Sequence, residues 1–492
     1  MANDLLQNKD LYKEEDIRRE KVSELKKSGI NPFADKYEVT NDIASTLTLS
    51  DGTIVSTAGR IIFKRVMGKL AFIHIQDVFG KIQVSIGRNE IKEEDFAFFR
   101  HNVDVGDYIG ITGEIYHTHT GEFTIRTNSF ELLSKAIKPL PDKFHGLSDI
   151  ELRYRQRYLD LIANEKSRQI LVGRSKLNAF IRKYLQANGF LEVETPILQG
   201  AVCGASAKPF YTKHNALDKM CNLRIAPETY LKQVIAGGFN RVFEIAKCFR
   251  NEGMDSQHLQ EFTQVEWYAS YWNFEDNIRF FNKFFREMLI ELLGKPEIVK
   301  DGKVFVISEQ LPRINYTKTI NDLLGFNILE YEDAESLKKR IVETKQFVAG
   351  ELKELISLGS VIDYVYKRKI RPGIIEPTIL FNYPASLVPL ARPNDENPKQ
   401  IEMFQLLING VEMCKSYSEL VDPIIQRETL EQQAKDKANG DDEAMDVDED
   451  FLLAMEHGMP PMSGLGMGID RMLMLLYDAD SVRDVTLFPI MK

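Results

Sequence analysis

The sequence predicts an α+β chain in which a small β-barrel of the OB type precedes a larger region of helices and strands. Three observations predict it. The 492 residues exceed the usual length of one domain. Hydrophobic periodicity is that of short strands from about 54 to 134 and of long helices alternating with strands after that. A polar, proline-bearing connector, "KAIKPLPDKFHGLSD", separates the two patterns. The chain divides into an N-terminal helix and lead-in at 1–50, the barrel at 51–140 and the large region at 141–492.

The first element spans residues 9–28, where charges of both signs mix with Leu11, Ile17, Val22 and Leu25 before a stop at Gly29 and Pro32. Its charges nearly cancel, so it reads as a solvated helix lightly packed on the neighbouring barrel rather than a nucleic-acid arm. Five β-rich segments come next: "TIVSTAGRIIFKRV", "LAFIHIQDVFG", "KIQVSIGR", "DYIGITGEIYHT" and "EFTIRTNSFELL". With "EEDFAFFRHNV" as a helix between the third and fourth, they fit a Greek-key barrel. Such barrels bind single-stranded nucleic acid through aromatic stacking on an exposed strand face, and Arg60, Phe72 and Gln83 sit where such a face could be. The alternative is that Phe72 belongs to the barrel core.

Composition excludes several classes. The hydrophobic content of 43% suffices for buried cores, and 63 basic against 73 acidic residues leave −10, so net charge announces no nucleic-acid binder. The N-terminus lacks an apolar leader and no stretch is long enough to span a membrane, so the expectation is a cytoplasmic protein. Cys203, Cys221, Cys248 and Cys414 show neither Cys-x-x-Cys pairing nor zinc spacing and read as buried, reduced thiols.

Chemistry concentrates in three places of the large region. "RKYLQANGFLEVETPIL" is a helix broken at Gly189, then a strand ending at Thr195-Pro196 that suits a sheet edge or a subunit contact. "NRVFEIAKCFRNEGMDSQHLQEFTQVEWY" reads as strand, loop, strand, with Arg250 and Glu252 leaving the first strand and Phe262 entering the second. A planar guanidinium at a strand end suits a phosphate, and a nearby aromatic suits a base. "MSGLGMGIDRMLMLL" is a glycine-rich strand passing into an apolar helix, where Gly464, Gly466 and Gly468 let the backbone approach a flat ligand and Arg471 reaches its phosphates or covers its ring. The glycines match neither the Rossmann nor the Walker pattern. No Ser/His/Asp or Cys/His arrangement emerges, and "IQRETLEQQAKDKANGDDEAMDVDED" reads as a charged helix running into an acidic, solvated turn.

The chain order "GFLEVETP", then "FRNEG" with "EF", then "GLGMGIDR" resembles the three-motif signature of class II aminoacyl-tRNA synthetases. Over longer stretches, "RQRYLDLIAN", "CGASAKPF", "RIAPETYLKQVIAGGFNRVFEIAKCFRNEG", "SYSEL", "HGMPP" and "RDVTLFP", the sequence is similar to bacterial-type class II lysyl-tRNA synthetases. The resemblance implies a homodimer, an antiparallel-sheet catalytic domain flanked by helices with an insertion at about 330–395, and an anticodon-binding barrel ahead of it. It implies ATP, L-lysine and tRNA(Lys) as partners, and Mg²⁺ as cofactor.

By that resemblance Arg250 clamps the α-phosphate, Glu252 meets the adenine amino group, His258 helps hold the outer phosphates and Phe262 stacks on adenine, with Arg471 and Gly468 on the opposite side of the nucleotide. No side-chain nucleophile is required, because positioning and cations supply nearly all the catalysis of attack on phosphorus. Glu228 and the backbone at Gly204 hold the α-amino group of lysine; Glu266, Tyr268 and Glu419 hold its ε-ammonium; Tyr417 walls the aliphatic stem. Phe72 and Gln83 read the central anticodon base, with Arg60 as a third contact. The sequence departs from the family at Lys415 and Val421, where asparagines are common. It departs again in the metal-holding pair, whose second glutamate is Glu412 but whose first position is Gln405. Two other readings stay open: a related ligase for another amino acid or acceptor, and a non-catalytic scaffold, which would need none of Arg250, Glu252, Phe262 and Arg471.

Overall fold

The computed structural model describes residues 2–140, 147, 149–440 and 443–491, with side chains from residue 13 onward. Part of the connector, residues 141–146 and 148, lies outside the described residues. Two compact units emerge, Met1–Asn164 and Glu165–Lys492.

In the first unit, strands β1 (Ile54–Met67), β2 (Leu70–Gln76), β3 (Lys81–Gly87), β4 (Tyr108–His117) and β5 (Phe123–Ser134) close into a barrel in the order β1-β2-β3-β5-β4. The long β1 pairs with β4 through its first half and with β2 through its second, and an extra residue between Ile61 and Phe63 bends it from one to the other. Alternation does the rest: Ala71, Ile73, Ile75, Val84 and Ile86 point inward to a core shared with Ile109, Ile111 and Ile125. The expected helix lies between β3 and β4, at Glu93–Asn102, and Lys64 donates to the carbonyls of Phe99 and Arg100 at its end.

The N-terminal helix, Ala2–Lys27, is anchored more firmly than its nearly cancelling charges suggest. Arg18 is buried and donates to Val105 and Ala136 carbonyls, Lys21 pairs with Asp104 at 2.8 Å, and Leu25 enters the barrel core. Lys135 joins Asp104 and Asp107 in the same buried cluster. The helix ends because Gly29 adopts φ +76°, a left-handed cap open to glycine without strain.

The second unit is built on an eight-stranded sheet. Its strands are β6 (Leu191–Glu192), β10 (Arg241–Phe249), β11 (Glu261–Ser270), β14 (Arg313–Asn315), β15 (Thr378–Pro384), β16 (Gln400–Ile408), β17 (Val411–Ser418) and β18 (Met462–Gly468). Between these in sequence come β7 (Leu198–Gln199), β8 (Tyr211–His214) and β9 (Lys219–Leu223), which form a small sheet, and the hairpin β12 (Glu297–Lys300) with β13 (Lys303–Val306). The large sheet runs β14-β15-β16-β17-β18-β11-β10-β6, antiparallel from β15 to β10. The first motif's strand is confined to Leu191–Glu192, where it pairs in parallel with the edge of β10. It stops there because the Thr195 amide turns to the Glu244 carboxylate instead of a strand partner.

One sheet face packs on the helices Glu165–Ala187, Phe274–Leu293 and Ile469–Leu476 through Phe180, Trp267, Phe281, Phe284, Phe404 and Leu473. The other face, over β15 to β17, is covered by the predicted insertion, whose helices Ala334–Glu343 and Leu358–Val365 bury Leu337, Ile341, Val361 and Ile362. The part of that face over β18, β11 and β10 is left for chemistry. Among the described residues, no helix is long and apolar enough to cross a membrane.

Candidate active site

A row of residues crossing the sheet forms the floor of the site. Strand register places Gln405 opposite Lys415, Lys415 opposite Gly466, Gly466 opposite Glu266, and Glu266 opposite Glu244. Cross-strand partners share a face, so these side chains rise on one side of the sheet. Gly466 has none, which opens the gap between Lys415 and Glu266. With strands about 4.8 Å apart, the two Cα positions lie about 10 Å from each other, the span of an extended lysine molecule. Glu244 does not enter the gap, because Arg224 at 2.6 Å and the Thr195 hydroxyl at 2.6 Å hold its carboxylate.

A cavity of about 570 Å³ stands on this floor. Every residue predicted for ATP, lysine or metal lines it: Gly204, Glu228, Arg250, Glu252, His258, Phe262, Glu266, Tyr268, Gln405, Glu412, Tyr417, Glu419, Gly468 and Arg471. A larger recess, about 720 Å³, lies along helix Phe274–Leu293. None of the predicted residues lines it, and its Arg279, Lys283 and Arg313 are already paired with Asp276, Glu287 and Glu275.

At one end of the cavity lie three buried carboxylates, two of which meet one resident ammonium. Glu228 opens helix Glu228–Ala236 and accepts from the Tyr417 hydroxyl at 2.5 Å and from Lys232 at 2.7 Å. Lys232, fully buried, also lies 2.5 Å from Glu419, whose other carboxylate oxygen is buried without a hydrogen bond. Glu266 accepts from Gln264 at 2.6 Å and from the Tyr268 hydroxyl at 3.1 Å. Tyr417, expected only as a wall, therefore also orients Glu228. Of the three glycines in β18, Gly464 is the one that packing demands, since a Cβ there would lie 2.2 Å from the Tyr268 ring and 2.5 Å from Glu419. Gly204, at φ +93°, lets its loop approach Glu228.

This end is short of positive charge. Burial, and then Glu228 nearby, push the Glu266 carboxyl up to about 8, and burial raises Glu419 well above the carboxylate range despite Lys232. Both shifts oppose ionisation of these carboxyls, whereas a cation beside them would favour the carboxylate form.

Another part of the cavity is built from the loop between β10 and β11. The ladder extends one step beyond the strands, with the Arg250 amide donating to Gln260, so Arg250 leaves β10 in fixed register. Its guanidinium lies 4.9 Å from the Phe262 ring centre, and its buried Nε makes no hydrogen bond. Glu252 accepts from the Lys208 amide at 3.2 Å, tying this loop to the one carrying Gly204. Arg471 Nη2 lies 2.9 Å from His258 Nε2, and His258 Nδ1 lies 2.9 Å from Asp255. Arginine cannot accept, so Nε2 is the acceptor and Nδ1 carries the proton.

Reading by motif missed several members of the site. Asp470 accepts from the Thr263 amide at 2.8 Å and from Arg174 at 2.6 Å, which fixes the helix bearing Arg471 against β11. Lys232 gives Glu228 and Glu419 their buried cation, yet in the sequence it is an ordinary Glu-x-x-x-Lys pair on a helix. The acidic turn after helix Pro423–Ala438 is not simply solvated: Glu443, Ala444 and Met445 line the cavity, and Met445 packs on Cys203. Apolar Ala444 and Met445 inside the acidic run were the available signal, whereas Asp441 and Asp442 lie outside the described residues.

On the barrel, the outer face of β2 carries Phe72, His74 and Gln76, so Phe72 is not a core residue. His74 faces Gln83 across the β2–β3 pair, which sets Phe72 and Gln83 diagonally on one surface. Arg60 does not join them. It lies opposite Gln76, four residues along β2 from Phe72 and thus about 13 Å away, and it is held by the Gly106 carbonyl at 2.8 Å and the Tyr108 ring. The arginine directly opposite Phe72 is Arg65, exposed on the same surface.

Two family models match this chain. Residues 149–492 match class II tRNA synthetases (D, K and N), and residues 55–133 match the OB-fold nucleic-acid-binding domain of tRNA anticodon binding. The lysine–tRNA ligase of Carboxydothermus hydrogenoformans is 42% identical over 480 residues, 97% of each chain. The chain belongs to the lysine–tRNA ligase family of class II aminoacyl-tRNA synthetases. The lysine–tRNA ligases of Enterococcus faecalis, 40% identical over 97% of each chain, and Haemophilus influenzae, 43% identical over the whole of both, agree. The family uses ATP, an amino acid and tRNA.

The magnesium that the resemblance implies is a separate matter. Glu412 and Gln405 line the same end of the cavity, but the donor set does not fit a protein-held Mg²⁺. Gln405 brings no charge and its Oε1 already accepts from the Tyr383 hydroxyl at 2.7 Å. Lys415 stands directly opposite it, and among the described residues no group of three His, Cys, Asp or Glu side chains could hold a metal.

Proposed function

We propose that this chain activates L-lysine with ATP, releasing pyrophosphate, and transfers the lysyl group from the adenylate to the 3′ end of tRNA(Lys). The observation that carries the choice of lysine is the set of three buried carboxylates, Glu228, Glu266 and Glu419, of which only the first and last pair with a resident ammonium, Lys232, in a cavity that Arg250 and Arg471 also line. Glu266, Tyr268 and Glu419 receive the ε-ammonium, and Glu228, oriented by Tyr417 and Lys232, receives the α-amino group near Gly204. The carboxylate then points toward Arg250. A carboxylate oxygen forms a bond to the α-phosphorus as the bond to pyrophosphate breaks; no proton moves and no side-chain nucleophile is needed. Arg250 neutralises the α-phosphate, Phe262 offers a ring face to adenine, Glu252 meets its amino group, and His258 with Arg471 holds the remaining phosphates. Magnesium enters this reading as MgATP, the substrate.

The relatives' names do not favour another amino acid, another acceptor or a scaffold. The test is amino-acid-dependent ATP–pyrophosphate exchange with all twenty amino acids, where lysine alone should support exchange; exchange with another amino acid overturns the specificity, and none at all overturns the reaction. In the same assay Phe72→Ala should leave exchange intact while lowering tRNA charging at least tenfold, the size of one lost stacking contact. Equal loss in both steps would place Phe72 in a structural role.

Lysine binding should also release protons. Because the raised carboxyls lose protons when an ammonium arrives, affinity should rise with pH up to about 8 and level off above it. Calorimetry at pH 7 in two buffers of different ionisation heat should show net proton release on lysine binding; no release, or uptake, contradicts the assignment of Glu266.

We also propose that the chain works as a homodimer in the cytoplasm. The small sheet β7-β9-β8 supports the dimer, since Leu198, Tyr211 and Met220 are exposed on it together with the nearby Ile197 and Leu217. Sedimentation at the mass of a single chain would refute it.

A further inference from the structure

The end of the cavity near Gln405 shows how the charges there are arranged. Residues three apart on a regular strand, such as Glu412 and Lys415, point to opposite faces. Here the register shifts between Leu406 and Leu407, so that Leu406 pairs with Cys414 and Leu407 with Glu412, leaving Met413 as the extra residue. This bulge turns Glu412 onto the face of Lys415 and Gln405, and all three line the cavity. The result is one carboxylate, one neutral amide engaged by Tyr383, and one ammonium. A divalent cation placed among these three side chains would have a single charged ligand, Glu412, and a fixed positive charge, Lys415, on the same strand; Asp363, which also lines the cavity, is already paired with Lys367. The same ammonium stands beside the gap opened by Gly466, on the side away from Glu266, where the carboxylate of an extended lysine would come to lie.

We infer that this site holds no divalent cation before nucleotide binds, and that the Lys415 ammonium is a resident positive charge for the substrate carboxylate and the α-phosphate. Mg²⁺ arrives on the outer phosphates of ATP, with Glu412 as its one protein carboxylate. Lys415 is thus a binding residue whose charge, unlike that of a metal, does not depend on the free Mg²⁺ concentration. The inference deepens the proposed reaction and rests on it. The two fail separately, because absence of lysine-dependent exchange defeats the reaction, whereas metal titration without nucleotide addresses the inference alone.

The experiment is titration of the nucleotide-free protein with Mn²⁺, followed by the electron paramagnetic resonance signal of the free ion. The wild-type chain should leave that signal unchanged at sub-millimolar Mn²⁺, while the double variant Gln405→Glu/Lys415→Asn should bind at least ten times more tightly. Stoichiometric sub-millimolar binding by the wild type, abolished by Glu412→Gln, overturns the inference. A second measurement does not depend on the double variant folding. ATP binding to Lys415→Gln should weaken about tenfold at low Mg²⁺, the effect of one charge-assisted contact, and recover as Mg²⁺ rises. An unchanged Mg²⁺ dependence overturns the role given to Lys415.

Discussion

Lys232→Met should destabilise the second unit by about 3–5 kcal/mol at pH 7, the usual cost of removing one partner from a buried ion pair, and should abolish lysine binding. The methionine fills much the same space, so the loss is electrostatic. Glu228 and Glu419 lose their shared cation while remaining buried beside Glu266. The sign with pH is defined. Glu228 and Glu419 raise the Lys232 ammonium's pKa against the opposing effect of burial, so its contribution is fully present at every pH below the ordinary lysine range. Because Lys232 stays charged throughout this range, the deficit should be present at both pH 7 and pH 5. Denaturant unfolding of both proteins at pH 7 and pH 5 measures this. A difference under about 1 kcal/mol at pH 7, the range of an exposed pair, would mean that Lys232 is not the cation that holds the pocket together.

Arg250→Ala should lower the rate of lysyl-adenylate formation by about 10³-fold or more, within the range of cationic groups that stabilise phosphoryl transfer, with stability changed by less than about 1 kcal/mol. The guanidinium is partly exposed, its Nε has no hydrogen bond, and it lies against the Phe262 ring. Little structural support is therefore lost with it. Arg250→Lys should recover only a small part, because an ammonium cannot present two parallel donors to a phosphate. Single-turnover adenylate formation, with denaturant unfolding as the control, decides the matter; activity within threefold of wild type would remove Arg250 from the phosphate site.

The parts of the site that were legible are those in which chemistry and local structure coincide. Arg250 and Phe262 bracket a loop whose flanking strands announce themselves by alternation, and Arg471 opens a helix behind a glycine strand. The barrel strands were readable for the same reason, as was the helix between β3 and β4. Lys232 was not, because one helical turn after Glu228 it has the spacing of a solvent-exposed pair, and only the fold shows that both side chains are buried. That Arg65 rather than Lys64 faces Phe72 turned on one extra residue in β1, which shifts every later partner by one position. The insertion followed only from the resemblance, and nothing local told that Tyr383 would reach Gln405.

The sequence by itself determined the barrel strands, the strand–loop–strand around Arg250, the glycine-rich strand before Arg471, and the residue types that suit phosphate and base. These follow from periodicities of a few residues and from side-chain chemistry, which act locally. Tertiary structure alone decided that three carboxylates from β11, β17's end and helix Glu228–Ala236 share one buried volume, and that Glu412 and Lys415 point the same way. It decided too that Gly464 makes room for Tyr268 and Glu419. Burial and register are properties of strands brought together from distant parts of the chain, and a pKa or a charge count takes its meaning only once they are in contact.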